Sequence, residues 1–499
     1  GLALTLLLLT VPNSAEAVVP PATNTSDITS LPAPYSQWDV TIGPVDGDAR
    51  VLDLDFNSPL LHRRVSNRVY LPDRYRIEGA AYPVVYALHG TVLPALDDHT
   101  VDPVTQQESL LHMIGAGGGY LQTELFDLTS QLDKATFVVV APDTGTDKSW
   151  CETCGWIDGR KDLLPNVHPV TGETLPADSH LHRELYPLVE ALFNVRSDRA
   201  GRGVMGFSMG GYAALVQGML HPDQYAFVAS VSGVYETLTE PRLRAIWEAL
   251  GYMRDQGYGT GVTDEIWWRN YDPSQIATNL AGFGGKLLLS YGDACLSTAS
   301  LATEDCRTYP PVRNPAAATI EALLVANNHV AVKDLPAKTI PAQFIQLPGV
   351  HGANNHRVYA DYIVPSANDL FSRKIVDPRS FSYRTVIPHF AVWGYDVSVE
   401  RQDDEFLSLG AARADGSSFT LTGTGTVRLR TPAAFTPGST HRIIVTAQDG
   451  SSNQQIATAD SSGRLGLTIK LGGDHPLDQG TLTDVLSLDA ANSTNIQIK

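Results

Sequence analysis

One serine in this chain stands where a hydroxyl could be made nucleophilic. In GVMGFSMGGYAAL (203–215), Ser208 lies between Gly206 and Gly210 in the pattern G-x-S-x-G. The residues before it read as a buried strand, and Met209 onward reads as a helix. A serine at so tight a strand-to-helix turn takes a strained backbone conformation, and glycines two positions to either side let the backbone crowd around it. The helix start behind it favours developing negative charge. A serine hydroxyl is inert near neutral pH without a base, so the chain must also supply a histidine, itself oriented by a carboxylate. In this strand–serine–helix arrangement the acid and then the histidine follow the serine.

Six histidines lie beyond His221, at 329, 351, 356, 389, 441 and 475, and the last three fall in a β-rich region. His351 follows QFIQLPG, a late strand whose C-terminal end faces the same edge as Ser208, and is the candidate base; His356 is the runner-up. Two carboxylates could orient it. Asp293 directly follows KLLLSYG, at a sheet edge, whereas Glu321 lies in the helical AAATIEALLVANN; location alone points to Asp293. Acyl chemistry further needs two backbone N–H groups aimed at an oxyanion. One is that of Met209, and the other comes from the turn after YALHGTV, where Thr91 and Gly90 are the candidates and His89 shapes the loop. No metal cluster, phosphate loop or dinucleotide fingerprint is visible in the sequence, so no cofactor or metal is implied.

These residues need a frame. At 499 residues the chain is too long for one ordinary core, and two domains are expected. The runs PVVYALHG (83–90), TFVVVAP (136–142), GVMGFS (203–208), FVASVSG (227–233), KLLLSYG (286–292) and QFIQLPG (343–349) read as buried parallel strands. Between them HLHRELYPLVEALFNV (180–195) and MGGYAALVQGMLH (209–221) read as amphipathic helices, giving an α/β sheet. Beyond Pro378 the texture becomes alternating and rich in turn residues, which predicts a β-sandwich over 376–499. Its Trp393 and Tyr395 could stack on sugars, although alternating aromatics in a strand usually face a core.

The apolar N-terminal run, followed by Ala15-Glu16-Ala17, reads as a partial secretory signal over 1–17, too short to span a bilayer. A Pro/Thr/Ser-rich lead occupies 18–50. Export fits the four cysteines: Cys151 with Cys154, and Cys295 with Cys306, are the simplest of three connectivities, against redox or zinc readings. The formal net charge of −18 disfavours nucleic acid and anionic membrane surfaces as partners.

The run ELYPLVEALFNVRSDRAGRGVMGFSMGGYAALVQGMLHPDQYAFVASVSGVYE resembles the esterase D-like branch of α/β-hydrolases. That branch holds feruloyl and acetyl-xylan esterases, S-formylglutathione hydrolases and secreted mycolyltransferases of the antigen 85 type. The resemblance covers roughly residues 55–372 and implies an α/β-hydrolase catalytic domain over 51–375. WWRNYDP (267–273) and Gly349-Val350-His351-Gly352-Ala353 are similar to mycolyltransferase segments. The triad acid of those enzymes is a glutamate on the helix after the following strand, so the resemblance favours Glu321 over Asp293 and reinforces His351. Departures lie in the turn His89-Gly90-Thr91-Val92, which lacks the acid and arginine that hold trehalose in those enzymes, and in Ser208-Met209-Gly210-Gly211, which reads as in general esterases.

The expected function is therefore a secreted serine esterase cleaving carboxylic esters, sugar- or polymer-linked ones among the candidates, through an acyl-enzyme on Ser208. Transfer of the acyl chain to a sugar hydroxyl uses the same intermediate and is the alternative. A non-catalytic cell-envelope or polymer-binding module on the same fold is the reading from another class.

Overall fold

A computed structural model describes residues 31–91, 126–144, 150–151, 154–160, 164–165, 175–238, 244, 265–402, 404–472 and 493–499. The signal-like run at 1–17 and the first part of the lead lie outside them.

In chain order the strands are β1 (Thr41–Val45), β2 (Asp48–Ser58), β3 (Arg63–Tyr70), β4 (Val84–Leu88), β5 (Val138–Pro142), a small ribbon of β6 (Gly159–Arg160) and β7 (Leu164–Pro165), then β8 (Arg202–Phe207), β9 (Phe227–Val231), β10 (Lys286–Gly292) and β11 (Gln343–Leu347). Without the ribbon they form one sheet in the order β1-β2-β3-β5-β4-β8-β9-β10-β11. The six apolar runs form its parallel part, from β5 to β11. Every residue of β4, β5, β8 and β9 is buried. Their continuous apolarity follows from cover on both faces. Along β4, Val84, Tyr86 and Leu88 enter one apolar layer, and Val85 and Ala87 the other.

The sheet begins at Thr41, inside the stretch 18–50 read as lead. β1 pairs antiparallel with β2, extending the sheet into the stretch read as linker. TIGPV carries a glycine and a proline that mask its strand character, and an edge strand tolerates a proline because one side of its backbone needs no ladder partner.

The helix after Ser208, α1 (Met209–Leu220), differs from the amphipathic reading: all of its residues are buried. A helix apolar on every side needs cover on every side. The sheet covers one face, and residues from the C-terminal region reach its end, where the Tyr383 hydroxyl donates to the Leu220 carbonyl at 2.9 Å. The backbone N–H of Trp393 donates to Asp223 at 2.8 Å, and Arg199 bridges to Asp377 at 3.0 Å while lying 5.0 Å over the Trp393 ring. Val386 and Phe406 belong to the same apolar cluster as α1.

Between Ser380 and Ile498 the chain forms one six-stranded and one four-stranded antiparallel sheet. Phe381, Leu409, Phe419 and Ile496 of the first share a core with Val397, Val427, Leu429 and Ile469 of the second. Tyr395 is fully buried in that core, and Trp393 is half-buried against Arg199 and Phe381. Among the described residues no helix is long and apolar enough to cross a membrane.

At the far end of α1, His221 meets Asp178 at 2.9 Å, and His182 meets Gln217 at 2.9 Å. Burial, then the charge of His221, pushes the His182 imidazole down to about 3. Burial opposes charge on His221, but the Asp178 carboxylate outweighs it and raises that group. Below its ordinary value of 6.5 an unfolded His182 binds a proton that the folded one refuses, so its stabilisation falls with pH from 6.5 towards about 3. His221 acts oppositely, its contribution being complete below 6.5 and lost as pH rises through its raised value. The cluster is thus most stabilising near 6.5. Replacing His182→Asn is expected to flatten the acid limb: between pH 6 and 4 the stability gap between wild type and variant shrinks by about 1 kcal/mol per pH unit. Denaturant unfolding at stepped pH checks this, and parallel limbs would refute it.

Candidate active site

Ser208 sits at the C-terminal end of β8, in the middle of the sheet. Chain order runs outward in one direction from β4 to β5 and in the other from β8 to β11, so the neighbouring ends of β4 and β8 flank the point where strand order reverses. Open α/β sheets bind their ligands at such a point. Leu88 of β4 and Gly206 of β8 are direct partners there.

The turn is as tight as the sequence demands. Ser208 has φ 56° and ψ −118°, a conformation that non-glycine residues rarely adopt. A Cβ on Gly206 would lie 2.2 Å from the Gly210 carbonyl oxygen, and one on Gly210 would lie 2.0 Å from that of Leu88 and 2.5 Å from that of His89. Both glycines are therefore needed for close approach of backbone. The Ser208 N–H is tied to the Val231 carbonyl at 2.9 Å, which anchors the turn to β9.

His351 reaches the serine from the loop after β11. Its Nε2 lies 3.0 Å from Ser208 Oγ, and its Nδ1 lies 2.7 Å from Glu321 Oε2. The imidazole is 2 % exposed and Glu321 fully buried, while Ser208 remains partly open. The ring also packs on Phe207, with centroids 4.6 Å apart. Glu321 projects from α2 (Pro315–Ala337), and the carbonyl of Ala317, one turn earlier, accepts from the His351 N–H at 3.3 Å. One helix thus holds the loop and the ring.

The two oxygens of Glu321 divide the work. Oε2 faces His351, while Oε1 accepts from Ser232 Oγ at 2.9 Å and from the Gly292 N–H. A carboxylate so held cannot rotate away from the ring. Asp293 is occupied elsewhere: it accepts from the N–H groups of Cys295 at 2.8 Å and Gly349 at 3.0 Å, and from Ser300 Oγ. It fixes the loop that carries His351 and is not a partner of the ring. His356 is exposed.

Ser232 and Gly292 escaped the sequence reading. Their one signal was position, in VSG after β9 and at the end of β10, both at the C-terminal edge of parallel strands. Met209 opens α1 directly after the serine and is 3 % exposed. Gly90 and Thr91 follow β4, and the Leu88 and His89 carbonyls press on Gly210, so this turn sits against the start of α1. Cys151–Cys154 and Cys295–Cys306 are disulfides, and none of the four is a free thiol. The second closes the loop that follows Asp293.

A mixed sheet with parallel strands β5 to β11, a serine at a strained turn after its central strand, and a late histidine backed by a buried acid define an α/β-hydrolase. Residues 58–282 match the family described as Putative esterase. The esterase Rv1288 of Mycobacterium tuberculosis is 28% identical over 243 residues, covering 46% of this chain and 44% of that protein. A shorter match, 33% identical over 99 residues and covering 19% of this chain and 29% of the other, is to diacylglycerol acyltransferase/mycolyltransferase Ag85B of Mycobacterium avium. The chain therefore spans less than half the length of either relative. Among solved structures, an S-formylglutathione hydrolase from Agrobacterium tumefaciens is 17% identical, with a TM-score of 0.39 over 66% of this chain and 99% of that one.

Proposed function

We propose that this protein is a secreted serine esterase that cleaves carboxylic esters through an acyl-enzyme on Ser208. The observation that carries the proposal is the continuous chain from Glu321 Oε2 through His351 to Ser208 Oγ, with contacts of 2.7 and 3.0 Å. Ser208 Oγ attacks the ester carbonyl as His351 Nε2 takes its proton. The oxyanion accepts hydrogen bonds from the Met209 N–H and from that of Thr91, or of Gly90. The tetrahedral centre then expels the alcohol, which leaves with the proton from His351. Water, deprotonated by the same nitrogen, attacks the acyl-enzyme and releases the acid. Glu321 stays ionised throughout, fixing the tautomer and balancing the imidazolium.

In this reading residues 51–375, extended by β1, form the catalytic unit. Residues 376–499 form a β-sandwich that covers the end of α1, and the two disulfides suit an oxidising, extracellular or envelope setting. Substrates are esters, including sugar- or polymer-linked ones. The match to Ag85B supports a second reading, transfer of the acyl group to a sugar hydroxyl.

The test is product analysis with a p-nitrophenyl acyl ester, with and without trehalose, after a phosphonate probe has established labelling of Ser208. Free acid as the main product in both reactions supports the esterase. Predominant acyl-sugar supports the transferase, and folded protein that neither labels nor turns over would leave a binding module.

A further inference from the structure

Beneath the turn that follows β4 lies a buried pair that the chemistry above does not use. His89 and Asp143 are both essentially inaccessible, with His89 Nε2 2.9 Å from Asp143 Oδ2. The other ring nitrogen, Nδ1, lies 2.6 Å from the carbonyl oxygen of Gly90. A carbonyl can only accept, so Nδ1 donates. Asp143 Oδ1 and Oδ2 also accept from the N–H groups of Trp150 and Cys151, each at 3.0 Å, which holds the carboxyl against the ring. Trp156 fixes the other side: its Nε1 donates to the His89 carbonyl at 3.2 Å, and its ring meets the imidazole edge-on at 5.0 Å.

The Gly90 carbonyl and the Thr91 N–H belong to the same peptide unit. Because that unit is planar and trans, fixing the oxygen fixes the direction of the N–H. A donor held at 2.6 Å on the oxygen also polarises the unit and strengthens the N–H as a donor. We propose that His89, clamped by Asp143, is a positioning residue for the oxyanion site: it aims and polarises the Thr91 amide from behind. This rests on the esterase reading, with Thr91 as the second oxyanion donor. Oriented dipoles of this kind act where charge develops in the transition state, so the effect belongs in kcat more than in KM.

Two substitutions in the full chain separate the two contacts. His89→Gln places an amide where Nε2 meets Asp143 and leaves the Gly90 carbonyl without its donor; His89→Asn keeps an amide near Nδ1 and gives up Asp143. With active sites counted by end-point phosphonate titration, His89→Gln is expected to lower kcat about 10- to 100-fold with KM within about threefold. His89→Asn should recover most of that loss. A purely structural role predicts fewer titratable sites and a lower Tm in both variants, with wild-type kcat per site. That outcome, or equal losses of kcat per site in both, would overturn the proposal. Wild-type protein that fails to label at Ser208 would instead sink the esterase reading, and with it this one.

Discussion

Ser208→Ala is expected to lower turnover of acyl esters by about 10⁵-fold while leaving the thermal midpoint within a few degrees of wild type. The hydroxyl makes one side-chain contact, the 3.0 Å approach to His351, and Ser208 is partly open, so its removal exposes no new cavity. The strained φ of 56° remains, because alanine needs the same unfavourable conformation. What disappears is the atom that the proposed mechanism acylates. Steady-state kinetics, with phosphonate labelling as the orthogonal readout, checks this. Retention of more than about one hundredth of wild-type activity would mean that the nucleophile lies elsewhere.

Glu321→Gln should reduce kcat by about 10³- to 10⁴-fold, whereas Asp293→Asn should cost less than about tenfold per folded active site. The amide can still fill the space between His351, Ser232 and Gly292, but it cannot balance an imidazolium, and it lets the ring adopt the unproductive tautomer. Asp293→Asn weakens acceptors for the Cys295 and Gly349 amides and for Ser300 Oγ, so its effect is expected in Tm and in the fraction of sites that label. Comparable losses of kcat in the two variants would remove the distinction between the acids. Ser232 and Gly292 both donate to Oε1, and the lone pairs of Oε2 are left for the histidine.

The parallel core was legible because burial on both faces leaves a continuous apolar run, and six such runs became β4, β5, β8, β9, β10 and β11. The antiparallel extension at β1 was hidden, since an edge strand need not alternate and can hold Gly43 and Pro44. Helix α1 was misjudged for a related reason. Period alone tells which face of a helix meets the sheet, but not that residues 273–280 also pack against α1 and that residues near 383–406 reach its end.

At the site, the sequence by itself determined the tight turn at Ser208, because Gly206 and Gly210 are dictated by backbone contacts that no side chain permits, and that constraint is local. It also narrowed the base to a histidine after the last parallel strand. Between Asp293 and Glu321 local pattern pointed to the strand end, and only resemblance pointed to the helix. The tertiary structure decided which carboxylate meets the ring, because that depends on α2 holding Ala317 and Glu321 beside a loop some thirty residues away. Distances across such a gap are set by packing of helix against sheet, which no short stretch of sequence encodes.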